Sequence, residues 1–371
     1  MSAPAIGELA RGERLAGELR ERDVDALLVA APLNLRYLTG FTGSNGLALI
    51  AADGGEEAGH RFFTDFRYTT QSAAQVPEAF ALEIVTGSLL EAAARSLASS
   101  GGSLGYDDAN TTVADRARLQ KALPDGWRLV ECAGAVERLR AVKDEGEIER
   151  MRAAAQLADE ALKAVLEAGI VGRSEREVAI ELELRMRRLG AEAPSFSSIV
   201  ASGAHGALPH AEPRAQQIPR DVLVTIDWGA RLEGYCSDCT RTYATGEGIS
   251  ARAREVYELV LAAQEAGVAA LETGPTGREV DAVARAVVER AGEGEHFGHG
   301  LGHGVGLDVH EAPRLSRIES EQALQAGNVV TVEPGVYLPQ ELGVRIEDLL
   351  VVREGGREAL NGLEKALTVV S

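Results

Sequence analysis

Cysteine is scarce in this chain, with only Cys132, Cys236 and Cys239. So small and odd a count excludes a disulfide framework and fits a reducing compartment. Cys236-x-x-Cys239 has no second pair, and positions three apart on an extended strand point to opposite faces, so a thiolate-held metal is set aside. Positive charge is also in deficit. The 38 Lys and Arg against 57 Asp and Glu give a formal net charge of -19, which repels nucleic acid and anionic membrane surfaces at long range. Neither is expected as a partner. No apolar run approaches the roughly 18 residues of a membrane span, and Met1–Arg14 has no apolar core of signal-peptide length. These absences lead to the expectation of a soluble cytoplasmic protein.

What is present points first to two domains, because 371 residues exceed the usual single core. Helical spacing over Ile6–Arg22 leads into a buried-strand run at Asp25–Ala31. Tyr37–Gly46 reads as turn chemistry. Strand patterns follow at Leu47–Ala51, Arg61–Thr64, Leu82–Val85 and Trp127–Glu131, with helical patterns near Tyr68–Ala74, Leu89–Leu97 and Val113–Leu123 between them. This alternation predicts an α/β domain over residues 1–140. It holds no titratable cluster, so its expected role is scaffold, oligomer contact or active-site lid. Charge rises around Leu139–Lys143, where the boundary is placed, leaving residues 141–371 as the second domain.

That second domain carries the densest chemistry. His296–Glu311 holds four of the seven histidines, interleaved with glycines at 298, 300, 302, 304 and 306. Alternating glycines weaken helix and strand alike, so the run implies backbone passing close to something.

The same domain repeats itself. A helical pattern over Glu145–Ala168 is followed by a second helix opened by the capping-box pair Ser174 and Glu177; Ala251–Leu271 is likewise followed by Thr276 and Glu279. Val224-Thr-Ile-Asp227-Trp-Gly229 echoes Val330-Thr-Val-Glu333-Pro-Gly335, and each is followed by a further strand-borne acid, Asp238 and Glu347. The reading is an α+β domain of two like halves, bringing four carboxylates towards a pseudo-twofold axis. Four acids in one buried place repel each other and raise each other's pKa values. A divalent cation relieves this, and two relieve it better when carboxylates bridge ions roughly 3.5 to 4 Å apart. Oxygen donors with one imidazole suit Mn²⁺, Co²⁺, Zn²⁺ or Fe²⁺ better than thiophilic ions; the affinity order alone does not choose among them, and Mn²⁺ is the expectation carried forward.

The set Asp227, Asp238, His303, Glu333 and Glu347, with the run His299-Gly-Leu-Gly-His303 through His310-Glu311, resembles the proline-specific branch of the pita-bread metallopeptidases, the Xaa-Pro aminopeptidases and Xaa-Pro dipeptidases (prolidases). Lys143–Ala155 resembles that family's first catalytic helix. Tyr37–Gly46 and Thr64–Gln71 resemble its N-terminal, creatinase-N-like domain. The resemblance implies an α/β domain followed by a pita-bread catalytic domain, two divalent ions, small proline-containing peptides as substrates, and a homodimer. It implies that Asp227 chelates one ion, that Asp238 and Glu347 bridge both, and that His303 and Glu333 complete the second. An activated water would be the nucleophile and Glu333 a general base. His210 would position substrate, His310 would stabilise the tetrahedral intermediate, and His299 would line the substrate side. Arg345 would pair with a metal-holding carboxylate. His60, His205 and His296 read as structural or exposed, and Trp228, Tyr235 and Phe196 as core rather than substrate wall. Alternatives are a methionine aminopeptidase, a creatinase-like amidinohydrolase and a non-catalytic peptide-binding relative.

Overall fold

The computed structural model describes residues 6–53, 59–318 and 322–371; the first five residues of the Met1–Arg14 stretch lie outside it. The described chain divides between Arg140 and Ala141 into two compact units.

The first unit is built on a six-stranded sheet. Its order is Ala81–Ile84, Arg61–Thr64, Gly46–Ala51, Ala26–Val29, Gly102–Tyr106 and Trp127–Glu131. The sheet is mixed: Ala26–Val29 pairs antiparallel with Gly46–Ala51 and parallel with Gly102–Tyr106. Leu47, Leu49 and Phe63 from the strands bury against Ala92–Ala94 and Leu119 from the Leu89–Arg95 and Val113–Ala122 helices. One expectation needs correction here, and one strand escaped the sequence pattern. Tyr37–Thr39 end a helix, Pro32–Thr39, whose first turn accepts proline and whose end is closed by Gly40 at φ 71°. The Gly102–Tyr106 strand carries no strand-like composition. Its glycines answer to crowding instead, since a Cβ on Gly105 would lie 2.8 Å from Cys132 Sγ and one on Gly102 2.8 Å from Asp25 Oδ2.

The second unit repeats one arrangement twice. Helices Glu145–Glu167 and Glu175–Leu189 open the first half; Ala251–Ala270 and Gly277–Arg290 open the second. The expected capping boxes at Ser174/Glu177 and Thr276/Glu279 both form, and Asp144/Glu147 makes a third. Each box satisfies orphan N–H groups of a first turn, which fixes where the helix starts. In the first half the Leu223–Trp228 strand lies antiparallel between Ile199–Ser202 and Cys239–Ala244. In the second, Val329–Val332 lies antiparallel between Gly302–Gly304 and Asp348–Arg353. Each sheet packs on its own helix pair: Val178, Leu182, Val224, Ile226 and Trp228 in one core, Val260, Val280, Val330, Val332 and Leu350 in the other. Apolar residues at alternate strand positions face these helices, so the intervening polar positions face away from them.

Candidate active site

The polar positions of both sheets meet in one place. Asp227 sits near the end of Leu223–Trp228, with Thr240 directly across the ladder, and Asp238 immediately precedes Cys239–Ala244. Glu333 follows Val329–Val332, and Glu347 lies between the Leu342–Arg345 and Asp348–Arg353 strands. One oxygen from each of Asp227, Asp238 and Glu347 lies within 4.8 Å of the others. His303 Nε2 stands 3.3 Å from Glu333 Oε1 and 3.7 Å from Asp238 Oδ2. The five residues singled out in the sequence therefore face one space, to which no cysteine contributes.

The glycine run explains itself at this point. Gly302 and Gly304 lie on the strand that carries His303; a Cβ on Gly302 would fall 2.0 Å from Thr331 O and one on Gly304 2.2 Å from Ala312 O. Only bare backbone lets the strand sit that close to its neighbours. Gly298 meets nothing within 4 Å and is not part of this constraint.

Electrostatics set the character of the space. Burial, then the charges of Glu347, Asp227 and Glu333, push the Asp238 carboxyl well above the ordinary range. Burial followed by Glu333 and Asp227 does the same to Glu347. Asp227 is also raised by burial, although Arg345 opposes the shift. Burial acts against the charged form of Glu333 too, but the hydrogen bond and charge of His303 pull it down to about 2. Asp227 Oδ1 is a buried acceptor without a hydrogen-bond partner. Crowded oxygen donors, one orphaned acceptor and one imidazole are what hard or borderline divalent cations take as ligands, so the residues fit such ions.

A cavity of about 540 Å³ opens beside these acids. His210, His299, His310, Arg314, Phe196 and Tyr337 are among its lining residues. His299 is held from both sides, Nδ1 lying 2.7 Å from Gly300 O and Nε2 3.0 Å from Tyr337 OH. The His310 ring stands 4.3 Å from that of His303, and burial together with His303 pushes its pKa down. His210 is on the exposed edge of the cavity. Arg345 ties several parts together: Nη2 donates to Asp227 Oδ2 at 2.6 Å, Nη1 to Tyr337 OH and Pro209 O, and Nε to Thr240 Oγ1.

Phe196 is a correction, since it lines the cavity. Trp228 and Tyr235 are core as expected, the first donating to Ala158 O and the second to Glu147. His205 and His296 pair with Glu175 and Glu293, and His60 Nδ1 accepts from Ala51 N. Sequence reasoning missed Tyr337, Thr240 and Thr331. Thr240 Oγ1 donates to Glu347 Oε2 at 2.7 Å; Thr331 Oγ1 donates to Glu333 Oε1 at 3.2 Å and accepts from His303 N. Both threonines lie two positions from an acid and so share its strand face, a period-two signal that was available. Tyr337 had no comparable signal.

Residues 149–354 match the model described as "Metallopeptidase family M24", and residues 11–142 match "Creatinase/Prolidase N-terminal domain". The chain is 42% identical to "Uncharacterized peptidase YqhT" of Bacillus subtilis, over 96% of this chain and 99% of that protein. It is 35% identical to a Xaa-Pro dipeptidase of Pyrococcus furiosus over 96% and 99% of the two chains. Among solved structures, a Xaa-Pro dipeptidase from Bacillus anthracis superposes with a TM-score of 0.92 at 38% identity, covering 98% of this chain and 99% of the other. An X-Pro aminopeptidase from Thermotoga maritima superposes at 0.87 with 35% identity, covering 97% and 100%.

Proposed function

We propose, since the chain belongs to metallopeptidase family M24 and carries its catalytic domain behind a creatinase/prolidase N-terminal domain, that it hydrolyses the bond between an N-terminal residue and a following proline. The observation that carries this reading is the convergence of Asp227, Asp238, His303, Glu333 and Glu347 beside a cavity of dipeptide scale. Relatives named Xaa-Pro dipeptidase and X-Pro aminopeptidase support the substrate class. Asp227, Asp238 and Glu347, with His303 and Glu333, would hold two divalent ions, Mn²⁺ first among them. Bound there, the ions supply Lewis-acid polarisation of the scissile carbonyl and a more acidic water.

An Xaa-Pro bond is a tertiary imide without an N–H, so a site that grips substrate as a hydrogen-bonded strand cannot read it. Here recognition falls to shape and charge. The acids attract the free amine of Xaa. Phe196 and Tyr337 give the proline ring an apolar wall. Glu333, beside the site of attack, takes the proton of the attacking water and passes it to the departing proline nitrogen. His310, kept neutral, donates its ring N–H to the oxyanion that forms on the Xaa carbonyl. His210 and His299 orient the substrate from the cavity edge and wall. Arg314, also on that wall, can take the free carboxylate of a terminal proline, which favours dipeptides over longer peptides.

The same reading includes a homodimer in the cytoplasm. No described helix is long and apolar enough to cross a membrane. Metal analysis with assays on Ala-Pro and Ala-Pro-Ala tests the proposal. Chelator-sensitive release of Ala is expected, faster from the dipeptide. A metal-loaded protein that releases Ala from neither would sink it, and light scattering tests the dimer.

A further inference from the structure

Glu175 opens the Glu175–Leu189 helix, and its side chain is completely buried. An ionised carboxylate so placed must be satisfied by donors, or it costs several kcal/mol of the order seen for unpaired buried charge. Every hydrogen-bond partner of that carboxylate among the described residues lies between residues 202 and 214. Ser202 N and Oγ donate to Oε1 at 2.9 and 2.8 Å. His205 Nδ1 lies 2.9 Å from Oε2. Arg214 donates from its backbone N and Nε to Oε2, both at 3.1 Å, and from Nη2 to Oε1 at 3.2 Å. One carboxylate thus grips both ends of a single segment.

The middle of that segment forms the His210 edge of the cavity, and it has little apolar anchorage of its own. Leu208 is 56% exposed and His210 is exposed. Its other ties are polar or backbone. Pro209 O accepts from Arg345 Nη1 at 3.1 Å, and Gly206 abuts Gly343 so closely that a Cβ on Gly343 would lie 1.8 Å from Gly206 O. The segment is therefore clamped between Glu175 on one side and the Arg345 strand on the other.

We propose that Glu175 is a positioning residue for substrate, which fixes the place of His210 by closing the 202–214 segment on itself. It touches neither the acids nor the cavity, and acts only through Ser202, His205 and Arg214. The inference rests on the reading of the cavity as an Xaa-Pro site.

Glu175→Gln keeps the shape of the side chain while turning an NH₂ towards donors. In the metal-loaded enzyme it is expected to raise KM for Ala-Pro by about fivefold or more while kcat stays within about twofold, as loss of uniform binding does. Metal content should not change. Hydrogen exchange over residues 203–213 should speed up. In a His210→Ala background, Glu175→Gln should add nothing further to KM. Additive KM effects in the double variant, a fall in kcat at constant KM, or unchanged exchange would each overturn the proposal. If Glu175→Gln does not fold, Arg214→Gln, at a side chain 42% exposed, removes the same grip from one end and must give the same pattern. Failure of the wild type to cleave Ala-Pro would instead defeat the function, and the exchange experiment would still report on the clamp.

Discussion

Arg345 Nη2 donates to Asp227 Oδ2 at 2.6 Å, while Asp227 Oδ1 is buried with no hydrogen-bond partner. One oxygen is thereby fixed by protein and the other is left unpaired, in a carboxylate that offers an oxygen within 4.8 Å of Asp238 and Glu347. Arg345 also donates to Pro209 O, so the guanidinium joins the acids to the substrate-side loop. Replacing it by Gln frees the Asp227 carboxylate to rotate. Arg345→Gln is expected to weaken divalent-metal binding by about 10- to 100-fold, the usual scale for an outer partner of a ligand. Metal titration of the apo-protein checks this directly, and unchanged affinity would show that Asp227 orients itself.

Crowding of Asp238 and Glu347 makes a second expectation. Their charges oppose each other at the site unless a cation or a proton intervenes. The apo-protein should melt at lower temperature than the loaded one, with a midpoint that rises with metal concentration. At a free-ion level of 100 times Kd the gain is about 2.7 kcal/mol. Asp238→Asn and His303→Ala should fold, lose this response, and retain below about 1% of turnover, since even outer-partner losses reach 100-fold. Wild-type rates in metal-free variants would contradict the whole assignment.

Much of this site was legible because its signals are local. The four acids each stand at a strand end or strand boundary beside a hydrophobic run, and the His303 run announces itself by composition. The helix starts at Ser174 and Thr276 were legible for the same reason, since a capping box spans only four residues. What escaped depends on contacts far apart in the chain. Tyr337 matters because it meets His299 and Arg345. Gly102–Tyr106 is a strand because neighbours on both sides supply its ladder and leave no room for side chains at Gly102 and Gly105. The helix over Pro32–Thr39 was hidden by the glycines that follow it, of which Gly40 is its terminator rather than part of a turn.

The glycines of the His303 run separate two explanations. If they are there for close approach, Gly302→Ala must push backbone apart, because its Cβ would lie 2.0 Å from Thr331 O. A stability loss at or above the roughly 1 to 3 kcal/mol of ordinary overpacking is expected. Gly298→Ala, with nothing within 4 Å, should stay within about 0.5 kcal/mol of wild type. Denaturant unfolding of the two variants measures both, and equal losses would refute the packing account.

Acid sensitivity follows from Glu175. Burial alone would raise its pKa, but the donors from Arg214 and Ser202 outweigh burial and hold it below its ordinary value of 4.5. A carboxyl depressed in the folded state contributes stability that is complete above the unfolded value and lost as pH falls through the folded one. As pH falls past the ordinary value of 4.5 and on through the lower folded one, the wild type should therefore lose this contribution. Glu175→Gln lacks the titrating group. The variant should be the less stable protein near neutrality, yet its stability should fall less steeply into acid, so that the two curves converge. Denaturant midpoints measured across that range for both proteins decide the matter: parallel curves would mean that the Glu175 carboxyl has the same proton affinity folded and unfolded, and that its hydrogen bonds to Ser202 and Arg214 do not favour the charge.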